Sequence, residues 1–511
     1  MKRLSRLSSD MVDSERVLRF SLPVLRAGPV LPLKPADGAG NPVAVSDEGD
    51  WPWQLLDDCR RILGSDVQPV LAPKESILMT LNQVFDMASA SAEQMLEDMG
   101  GDDLSKEIEE VGDLLESDSD APVIRLVNTL ISQALKDRAS DIHIEPFETR
   151  VLVRFRVDGV LHTIVHPPKG VQAALTSRIK VMAGLDIAEK RHPQDGRFRV
   201  KIAGREVDVR ISILPTAHGE RVVMRLLDRG AAMLTLQELG MSPPQKKLMQ
   251  DVITAPHGIV LVTGPTGSGK STTLYAALME VDRKNRNVMT IEDPIEYQIE
   301  GVGQMQVQQK IGVSFAAGLR SILRQDPDIV MIGEIRDLET AEIAIQASLT
   351  GHLVFATLHT NDALSAILRL QDMGVEPYLV ASSLIMVQAQ RLVRRLCPHC
   401  REQHPVPADI WTILEVDEKI GVDVIYHANG CDLCMGTGYI GRVAIYEMSR
   451  ISDAMRNAIH EGKGIPVMRR LAKQERMITL RQDGARQVAA GVTTIDEILR
   501  VTMEDVVSTD L

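Results

Sequence analysis

A glycine-rich segment near the middle of the chain, Gly264–Ser271, has the sequence GPTGSGKS and matches the phosphate-loop pattern G-x-x-x-x-G-K-[ST] at every fixed position. It follows a short apolar run with β-branched residues, Ile259 to Thr263, which predicts a buried strand. The residues after it, Thr272 to Val281, have the apolar spacing of a helix. This strand–loop–helix order predicts a nucleotide site, because loop N–H groups and the helix N-terminus attract phosphate.

Each residue of this loop has an expected role. Lys270 is expected to reach the β- and γ-phosphates, and the hydroxyl of Ser271 or of Thr272 to bind Mg²⁺. The residues expected to bind the nucleotide are Gly264, Pro265, Thr266, Gly267, Ser268, Gly269, Lys270 and Ser271. The alternative, a strand-to-helix turn that binds nothing, is disfavoured because pattern and context agree. The motif favours ATP but does not indicate what its hydrolysis drives.

Length and composition narrow the class of protein. A chain of 511 residues is too long for one core, so three or more domains are expected. A net charge of −13 and an aromatic content of 3% argue against binding of nucleic acid. No apolar run approaches the roughly 18–20 residues of a membrane span. We therefore expect a cytoplasmic protein that meets a membrane through a partner.

Shifts in composition and periodicity predict six segments. In chain order we expect a small α/β domain (1–88), an acidic linker (89–120), an α+β domain (121–235), a nucleotide-binding core with a mostly parallel sheet (236–390), a cysteine-bearing insert (391–440) and a mainly helical part (441–511). In the α+β domain we expect hairpin turns at Asp158–Gly159 and at Gln194–Arg197, with a helix over Ala174–Lys190 between them. Asp141, His143 and Glu145 share one strand face there; a polar contact between domains is favoured over a metal site, because one strand rarely completes a coordination shell.

Two carboxylates after the phosphate loop are candidates for the chemistry of hydrolysis. Glu292 ends a short strand within TIEDPIE, and Glu334 follows the apolar strand that begins at Asp328. This second strand occupies the Walker B place, although the aspartate usual there is missing. We expect Glu334 to hold the water shell of magnesium and to orient the attacking water, with Glu292 as a second candidate for polarising water.

A histidine and several arginines are further candidates. His359 follows the strand Leu353 to Ala356 and is expected near the γ-phosphate; the alternative is a histidine with a structural role. Arginines can contribute on the order of 10³–10⁵ in rate when they neutralise the transferred phosphoryl group. The candidates are Arg210 and Arg225 in the preceding domain and Arg320 and Arg324 in the core; the alternative is that they bridge acidic neighbours at an interface.

Four of the five cysteines form two C-x-x-C pairs, Cys397 with Cys400 and Cys431 with Cys434. Two pairs at this spacing can supply four thiolates to one tetrahedral Zn²⁺, and a full set of four protein ligands indicates a structural site. Two alternatives remain open: a redox role for one pair, and a zinc ribbon that binds nucleic acid. Nearby arginines favour the ribbon, and the acidic balance of the chain counts against it. This pattern of cysteines predicts a reducing compartment.

Several of these segments together resemble one family. GPTGSGKSTTLY, TIEDPIEY, DPDIVMIGEIRDLETA, TGHLVFATLHTN and the cysteine pairs are similar to the secretion ATPases, and most similar to the type II secretion ATPases of Gram-negative bacteria. SDIHIE, FRVDGVL, PQDGR and GERVVMRLL also fit, so the resemblance covers about residues 120–502. It implies a RecA-like core preceded by an α+β domain, with a zinc-knuckle insert and a helical C-terminal part. Glu292 would lie in the family's Asp box, Glu334 in Walker B and His359 in the His box, and Arg210 and Arg225 would approach the phosphates.

The resemblance also implies an assembly and a task. It implies a hexameric ring on the cytoplasmic face of the inner membrane, docked through residues 1–90 to the cytoplasmic domain of an inner-membrane component and working with a platform protein. ATP hydrolysis would drive assembly of a short pilus-like structure that exports folded proteins across the outer membrane. The alternatives are a type IV pilus extension ATPase, which shares the motifs, a nucleic-acid motor, and a nucleotide sensor without hydrolysis. A retraction ATPase is disfavoured because that group lacks the cysteine module.

Overall fold

The computed structural model describes most of the chain after residue 121 and short stretches before it. The described residues are 4, 7, 11–17, 30–34, 41–46, 56–57, 59–61, 67–74, 76–77, 80 and 122–502 without 203–204, 229–233, 408 and 417–420. The acidic linker predicted at 89–120 lies outside them. The chain divides into two compact units, Met1–Ala231 and Ala232–Leu511, here called the N-terminal and the C-terminal unit.

The N-terminal unit contains two sheets. The first has the order β1-β2-β3, with β1 (Val30–Pro32) antiparallel to β2 (Asn41–Ser46) and β2 parallel to β3 (Val67–Ala72). A short helix, α1 (Ser14–Val17), precedes it. The apolar side chains of these elements form a separate buried cluster, which includes the thiol of Cys59.

The second sheet of this unit is six-stranded and antiparallel. Its elements are α2 (Pro122–Lys136), β4 (Ala139–Pro146), β5 (Val151–Val157), β6 (Val160–Val165), α3 (Gln172–Ala183), β7 (Gln194–Ile202), β8 (Arg205–Thr216) and β9 (Gly219–Asp228). The strand order is β6-β5-β4-β9-β8-β7. Alternate residues of the strands pack with α2 and α3 into one core, and the opposite face of the sheet is polar.

Of three elements predicted from the sequence in this unit, the structure confirms one and changes two. The hairpin at Asp158–Gly159 is confirmed, with φ of 49° and 86° at the two residues. The turn predicted at Gln194–Arg197 is wrong, because these residues start β7 and pair with β8. Gly196 has a packing reason, since a Cβ there would lie 3.0 Å from the side chain of Leu185. The helix predicted to reach Lys190 ends at Ala183, where Gly184 adopts a left-handed φ of 65°.

The C-terminal unit is built on a seven-stranded, mostly parallel sheet, as predicted. Its strands are β10 (Gly258–Thr263), β11 (Val288–Glu292), β12 (Gly303–Gln306), β13 (Ile329–Ile332), β14 (Leu353–Leu358), β15 (Leu384–Leu396) and β18 (Tyr439–Arg450). The order is β12-β11-β13-β14-β10-β15-β18, and only the pair β15–β18 is antiparallel. Buried clusters lie on both faces, so β10 and β14 are buried along their whole length and mostly apolar.

Helices cover this sheet and form the end of the described chain. They are α4 (Pro243–Ile253), α5 (Lys270–Glu280), α6 (Phe315–Ile322), α7 (Leu338–Leu349), α8 (Ser365–Asp372), α9 (Pro377–Ser383), α10 (Ile410–Ile413), α11 (Asp453–His460), α12 (Ile465–Gln474), α13 (Leu480–Ala489) and α14 (Ile495–Thr502). The helical C-terminal part is thus confirmed, but it starts after β18, so residues 441–450 are strand. Within the described residues, no helix combines the length and apolar character needed to cross a membrane.

Candidate nucleotide site and cysteine cluster

Three neighbouring parallel strands bring the predicted nucleotide residues to one edge of the sheet. β14 lies between β13 and β10, and all three run in the same direction. The phosphate loop follows β10, Glu334 follows β13 and His359 follows β14. The carboxyl ends of parallel strands are the usual place for ligands in such sheets. Strand topology therefore gathers residues that are far apart in sequence.

The phosphate loop connects β10 directly to the first turn of α5. Gly264, Gly267 and Gly269 have φ of 149°, 80° and 86°, values that L side chains rarely adopt. Gly269 is the N-cap of α5, so the helix begins at Lys270. The ammonium Nζ of Lys270 donates hydrogen bonds to the carbonyl oxygens of Gly264 at 2.7 Å and Pro265 at 3.1 Å. The lysine is thus held across its own loop at the helix N-terminus.

The surroundings of Lys270 weaken its positive charge. The pKa of its ammonium group is lowered to about 8, mainly by burial; the carboxylate of Glu334 acts in the opposite direction, and the nearby guanidinium of Arg391 adds to the lowering. Arg391 itself is buried and donates to the carbonyl oxygen of Asn361 at 2.8 Å. Lys270 and Arg391 thus place two buried cationic groups near each other, and an anionic phosphate bound there would stabilise their charged forms.

Glu334 is the meeting point of two cationic or potentially cationic side chains. Its Oε2 lies 3.2 Å from Nε2 of His359, and its Oε1 accepts a hydrogen bond from Arg336. Burial alone would raise the pKa of Glu334, but the hydrogen bonds from Arg336 and His359 hold it below its usual value. Arg336 also lies 3.7 Å from a carboxylate oxygen of Asp293. The carboxylate is therefore ionised at neutral pH and fixed in direction.

Two threonines fix the turns that carry these side chains. The hydroxyl of Thr357 donates to the carbonyl oxygen of Gly333 at 2.5 Å, which joins β14 to the turn before Glu334. The backbone N–H of Thr360 donates to Oγ1 of Thr263 at 2.7 Å. Because Thr263 ends β10 and Thr360 follows His359, this bond ties the histidine turn to the start of the phosphate loop.

Glu292 has a different environment from Glu334. It ends β11 and is 4% exposed, and its carboxylate accepts hydrogen bonds from Thr290 at 2.5 Å, from Gln304 at 3.1 Å and from the hydroxyl of Tyr275. Tyr275 belongs to α5, so Glu292 connects the helix after the phosphate loop to the Asp-box turn. Burial, followed by the charge of Glu292, raises the pKa of Tyr275 well above its usual value.

Arg210 and Arg225 lie in the N-terminal unit. They are directly opposite each other on β8 and β9. Nε of Arg225 lies 3.0 Å from Asp141 on the polar face of the sheet. On the same face Glu145 accepts hydrogen bonds from Arg154 and Arg221 at 2.7 and 2.5 Å. Asp141 and Glu145 thus pair with arginines of their own sheet.

Of the two core arginines predicted as candidates, Arg320 lies in the last turn of α6 and Arg324 follows the end of that helix. Arg320 forms a hydrogen bond of 2.7 Å to Glu339, and both side chains are exposed. Arg324 donates to the hydroxyl of Ser321 at 3.3 Å. Arg336 contacts Glu334, but the sequence argument did not single it out. Its position two residues after Glu334 was the signal that could have identified it.

The four paired cysteines form one cluster at the end of β15. Their Sγ atoms lie within 4.8 Å of one another, with separations of 3.9 Å (Cys397–Cys431), 3.8 Å (Cys400–Cys434) and 3.7 Å (Cys431–Cys434). Four thiolates at about 2.3 Å from a tetrahedral zinc ion are about 3.8 Å apart, so the cluster has the size that zinc requires. It is the only group of three or more candidate metal ligands within the residues described here.

Backbone donors favour a negative charge on Cys434, whereas burial raises the pKa of Cys400 to about 12. Sγ of Cys434 accepts N–H groups of Cys431 and Gly438, each at 3.1 Å, and Sγ of Cys400 accepts that of Gly430 at 3.3 Å. Burial alone would raise the pKa of Cys434, but these backbone hydrogen bonds lower it to about 7. A thiolate is the form that binds metal, so donor chemistry and spacing both fit zinc.

Comparison with known proteins agrees with this arrangement. The family model described as "Type II/IV secretion system protein" matches residues 116–500. The chain belongs to the type II/IV secretion system protein family. A second model, described as the MshEN domain, matches residues 4–91. The resemblance predicted from the sequence motifs is thereby confirmed.

Relatives of this secretion protein cover nearly the whole chain. Type II secretion system protein E of Klebsiella pneumoniae is 51% identical, over 89% of this chain and 91% of that protein. Type II secretion system ATPase E of Vibrio cholerae is 49% identical, over 88% and 90%. The X-ray structure of the Legionella pneumophila ATPase DotB has a TM-score of 0.53 and 20% identity, covers 74% of this chain and 95% of that one, and supports the fold. The predicted fold class and the predicted secretion ATPase class are confirmed.

Proposed function

We propose that this secretion ATPase hydrolyses ATP at the edge formed by β10, β13 and β14, and that hydrolysis powers type II secretion. The task would be assembly of a short pilus-like structure and export of folded proteins across the outer membrane. The observation that carries the proposal is the contact between Glu334 and His359 beside the lysine of a complete phosphate loop. Relatives of about 50% identity that are named type II secretion proteins favour this task over extension of a type IV pilus.

Each residue of the site has a proposed part in hydrolysis. Loop N–H groups over 264–271 and the ammonium of Lys270 would hold the phosphates, and the hydroxyl of Ser271 or Thr272 would be a ligand of Mg²⁺. The ion, when bound, would neutralise developing charge on the phosphate oxygens. Glu334 is ionised and would accept a hydrogen bond from the attacking water, and His359 would orient Glu334. Glu292 would act on water only through a change of partners, because three donors already engage it.

We assign the arginines of the N-terminal unit to charge neutralisation in a homo-hexamer. Arg210 and Arg225 are directly opposite each other on β8 and β9, so this face of the sheet would offer two guanidinium groups to a phosphate. Nε of Arg225 already binds Asp141, and its side chain is 57% exposed, which leaves donors of the same guanidinium toward solvent. Their approach to ATP in the ring would couple hydrolysis to motion between the units.

We assign Cys397, Cys400, Cys431 and Cys434 to one structural zinc ion. The sulfur spacing near 3.8 Å and the N–H donors to sulfur support this assignment. Held by four cysteines, the ion would fix the segment between β15 and β18, and that segment includes the small hairpin of β16 (Glu402–Pro405) and β17 (Val424–His427). A site with four protein ligands would have no open position for catalysis.

The docking partners are inferred from the first part of the chain. The MshEN match to residues 4–91 supports a separate recognition domain there. We propose that residues 1–90 bind the cytoplasmic domain of an inner-membrane secretion component, and that the ring also contacts an inner-membrane platform protein. The enzyme would then work at the cytoplasmic face of the inner membrane without binding nucleic acid.

Phosphate release by the purified full-length chain tests the proposal. We expect ATP hydrolysis that increases when the cytoplasmic domain of the inner-membrane component is added, and no increase in a chain lacking residues 1–90. Double-stranded DNA serves as the second additive and is expected to leave the rate unchanged. Absence of hydrolysis with every additive would refute the motor function, and stimulation by DNA alone would favour a nucleic-acid motor.

A further inference from the structure

A buried glutamine outside the phosphate-loop motif makes side-chain contacts with both ends of the loop-to-helix junction. Gln390 lies on β15 and is 1% exposed. Its Nε2 donates to the carbonyl oxygen of Ser268 at 2.8 Å, and its Oε1 accepts from the hydroxyl of Thr273 at 2.8 Å. Ser268 belongs to the loop and Thr273 to the first turn of α5, so one amide bridges the two.

The orientation of this amide follows from its neighbours. A backbone carbonyl only accepts hydrogen bonds, so the group that faces Ser268 is the NH₂ of Gln390. The amide of Gln388 donates to Oε1 of Gln390 at 3.3 Å, which is consistent with oxygen on the opposite side. The bridge needs a donor and an acceptor on one side chain, and an amide supplies both.

The loop also lies against the strand that carries this glutamine. A Cβ added to Gly264 would lie 2.6 Å from the carbonyl oxygen of Gln390, and one added to Gly269 would lie 2.9 Å from its Nε2. Real Cβ atoms essentially never come so close. A Cβ at Gly264 would meet the backbone of β15, and one at Gly269 would displace the amide of Gln390, so β15 adds to the constraint that the backbone angles set at both positions. The backbone of the loop therefore packs directly against Gln390 at Gly264 and Gly269.

We propose that Gln390 is a positioning residue for nucleotide binding. With its oxygen bound by Gln390, the peptide after Ser268 cannot turn that carbonyl toward an anion, so its N–H side stays available to the phosphates. The bond to Thr273 fixes the first turn of α5 to the same side chain, so the helix and the loop keep a constant separation. This inference rests on the proposed function only in requiring that the loop binds a nucleotide.

Two glutamines on one strand give a matched pair of variants. Gln390→Met keeps length and burial but removes the bonds to Ser268 and Thr273. Gln388→Met, at an equally buried position, removes only the bond of 3.3 Å that Gln388 donates to Oε1 of Gln390. We expect Gln390→Met to weaken binding of a non-hydrolysable ATP analogue and to raise KM about tenfold, as loss of a buried hydrogen-bond partner predicts. We expect kcat at saturation to fall less, and Gln388→Met to weaken affinity less than Gln390→Met does, because it leaves the bonds to Ser268 and Thr273 in place.

The outcomes separate this inference from the function itself. Wild-type protein that binds no analogue would refute the proposed function. A normal affinity in Gln390→Met, or an equal loss in Gln388→Met, would overturn the positioning role alone. If Gln390→Met does not give a cooperative thermal transition, Thr273→Val and Thr273→Ser test the other end of the bridge. Weaker binding in the valine variant, with recovery in the serine variant, supports the role, and equal affinities contradict it.

Discussion

Nε2 of His359 lies 3.2 Å from Oε2 of Glu334, although 25 positions separate them in the chain. They meet because β13 and β14 are adjacent parallel strands and each residue follows its strand within one or two positions. A carboxylate that is fixed by a histidine and by Arg336 is suited to hold a water molecule in one direction. The pair is therefore the first target for substitution.

Glu334→Gln is expected to bind ATP but to hydrolyse it at least about 10²-fold more slowly, because an amide cannot accept a proton from water as a carboxylate does. Nucleotide titration and single-turnover phosphate release measure the two steps separately. The matched control is Glu342→Gln, an exposed carboxylate on α7, which should hydrolyse ATP normally. Loss of nucleotide binding in Glu334→Gln would instead indicate a structural role.

His359→Gln is expected to lower kcat about tenfold or more with little change in KM, because the side chain orients Glu334 rather than binding the nucleotide. His352→Gln is its control. His352 stands before the first residue of β14, a strand of 6 residues, so it lies at the opposite end, about 20 Å away. Steady-state kinetics of both variants check the difference, and equal losses would contradict a local role for His359.

Nucleotide affinity is expected to fall as pH rises through about 8. Burial places the pKa of Lys270 near that value, so its ammonium loses its proton above it, whereas a bound phosphate would favour the charged form. Binding above pH 8 should therefore take up a proton, which calorimetry in buffers of different ionisation enthalpy detects. Lys270→Ala should lose this uptake and turnover; unchanged uptake in that variant would assign the proton to another group.

The same shift has a consequence for folding. The pKa of Lys270 is lower in the folded chain than its ordinary value of 10.5, so the unfolded chain binds more protons between about pH 8 and that value. The contribution of Lys270 to the free energy of unfolding therefore rises with pH in this window. Lys270→Ala should remove this contribution, and denaturant titrations at pH 8 and pH 10 compare the two proteins.

Cys397→Ser is expected to lose its metal and to unfold at lower temperature than the wild type. Structural zinc contributes about 10–16 kcal/mol of apparent binding free energy in small zinc peptides. Elemental analysis should give one zinc ion per wild-type chain and less in the variant. Cys59→Ser, which changes a buried thiol of the N-terminal cluster, should keep its zinc. A Cys397→Ser protein of unchanged melting temperature would contradict a structural metal.

Local patterns predicted the strand ends better than the contacts between them. The apolar runs before Gly264, Glu334 and His359 indicated three buried strands, and a mostly parallel sheet then implies that their ends lie close together. The bridge of Gln390 to Ser268 spans 122 positions and involves residue types that occur in any strand or loop, so no short pattern indicates it. Arg336 could have been identified from its position two residues after Glu334, which it contacts.

The predicted turn at Gly196, the predicted end of α3 and the predicted start of the helical part differ from the structure because local sequence did not reveal the contacts or backbone angles that decide them. The sequence around Gly196 has a turn signal, but the glycine there allows the close approach of Leu185, which lies in the loop after α3. The helix α3 has no break in apolar spacing at its end, and the left-handed Gly184 decides where it stops. β18 has mixed polarity along its length, and its pairing with β15 is what makes it a strand.

Leu396 and Tyr439 stand opposite each other at the mouth of the antiparallel pair β15–β18. The whole cysteine segment thus leaves and re-enters the sheet at neighbouring points, as an inserted loop does in a hairpin. A short turn between the same two residues would preserve the pairing beneath it. The segment is nevertheless joined to the sheet in a second way, because Trp411 and Leu414 are buried in the same apolar cluster as the central strands.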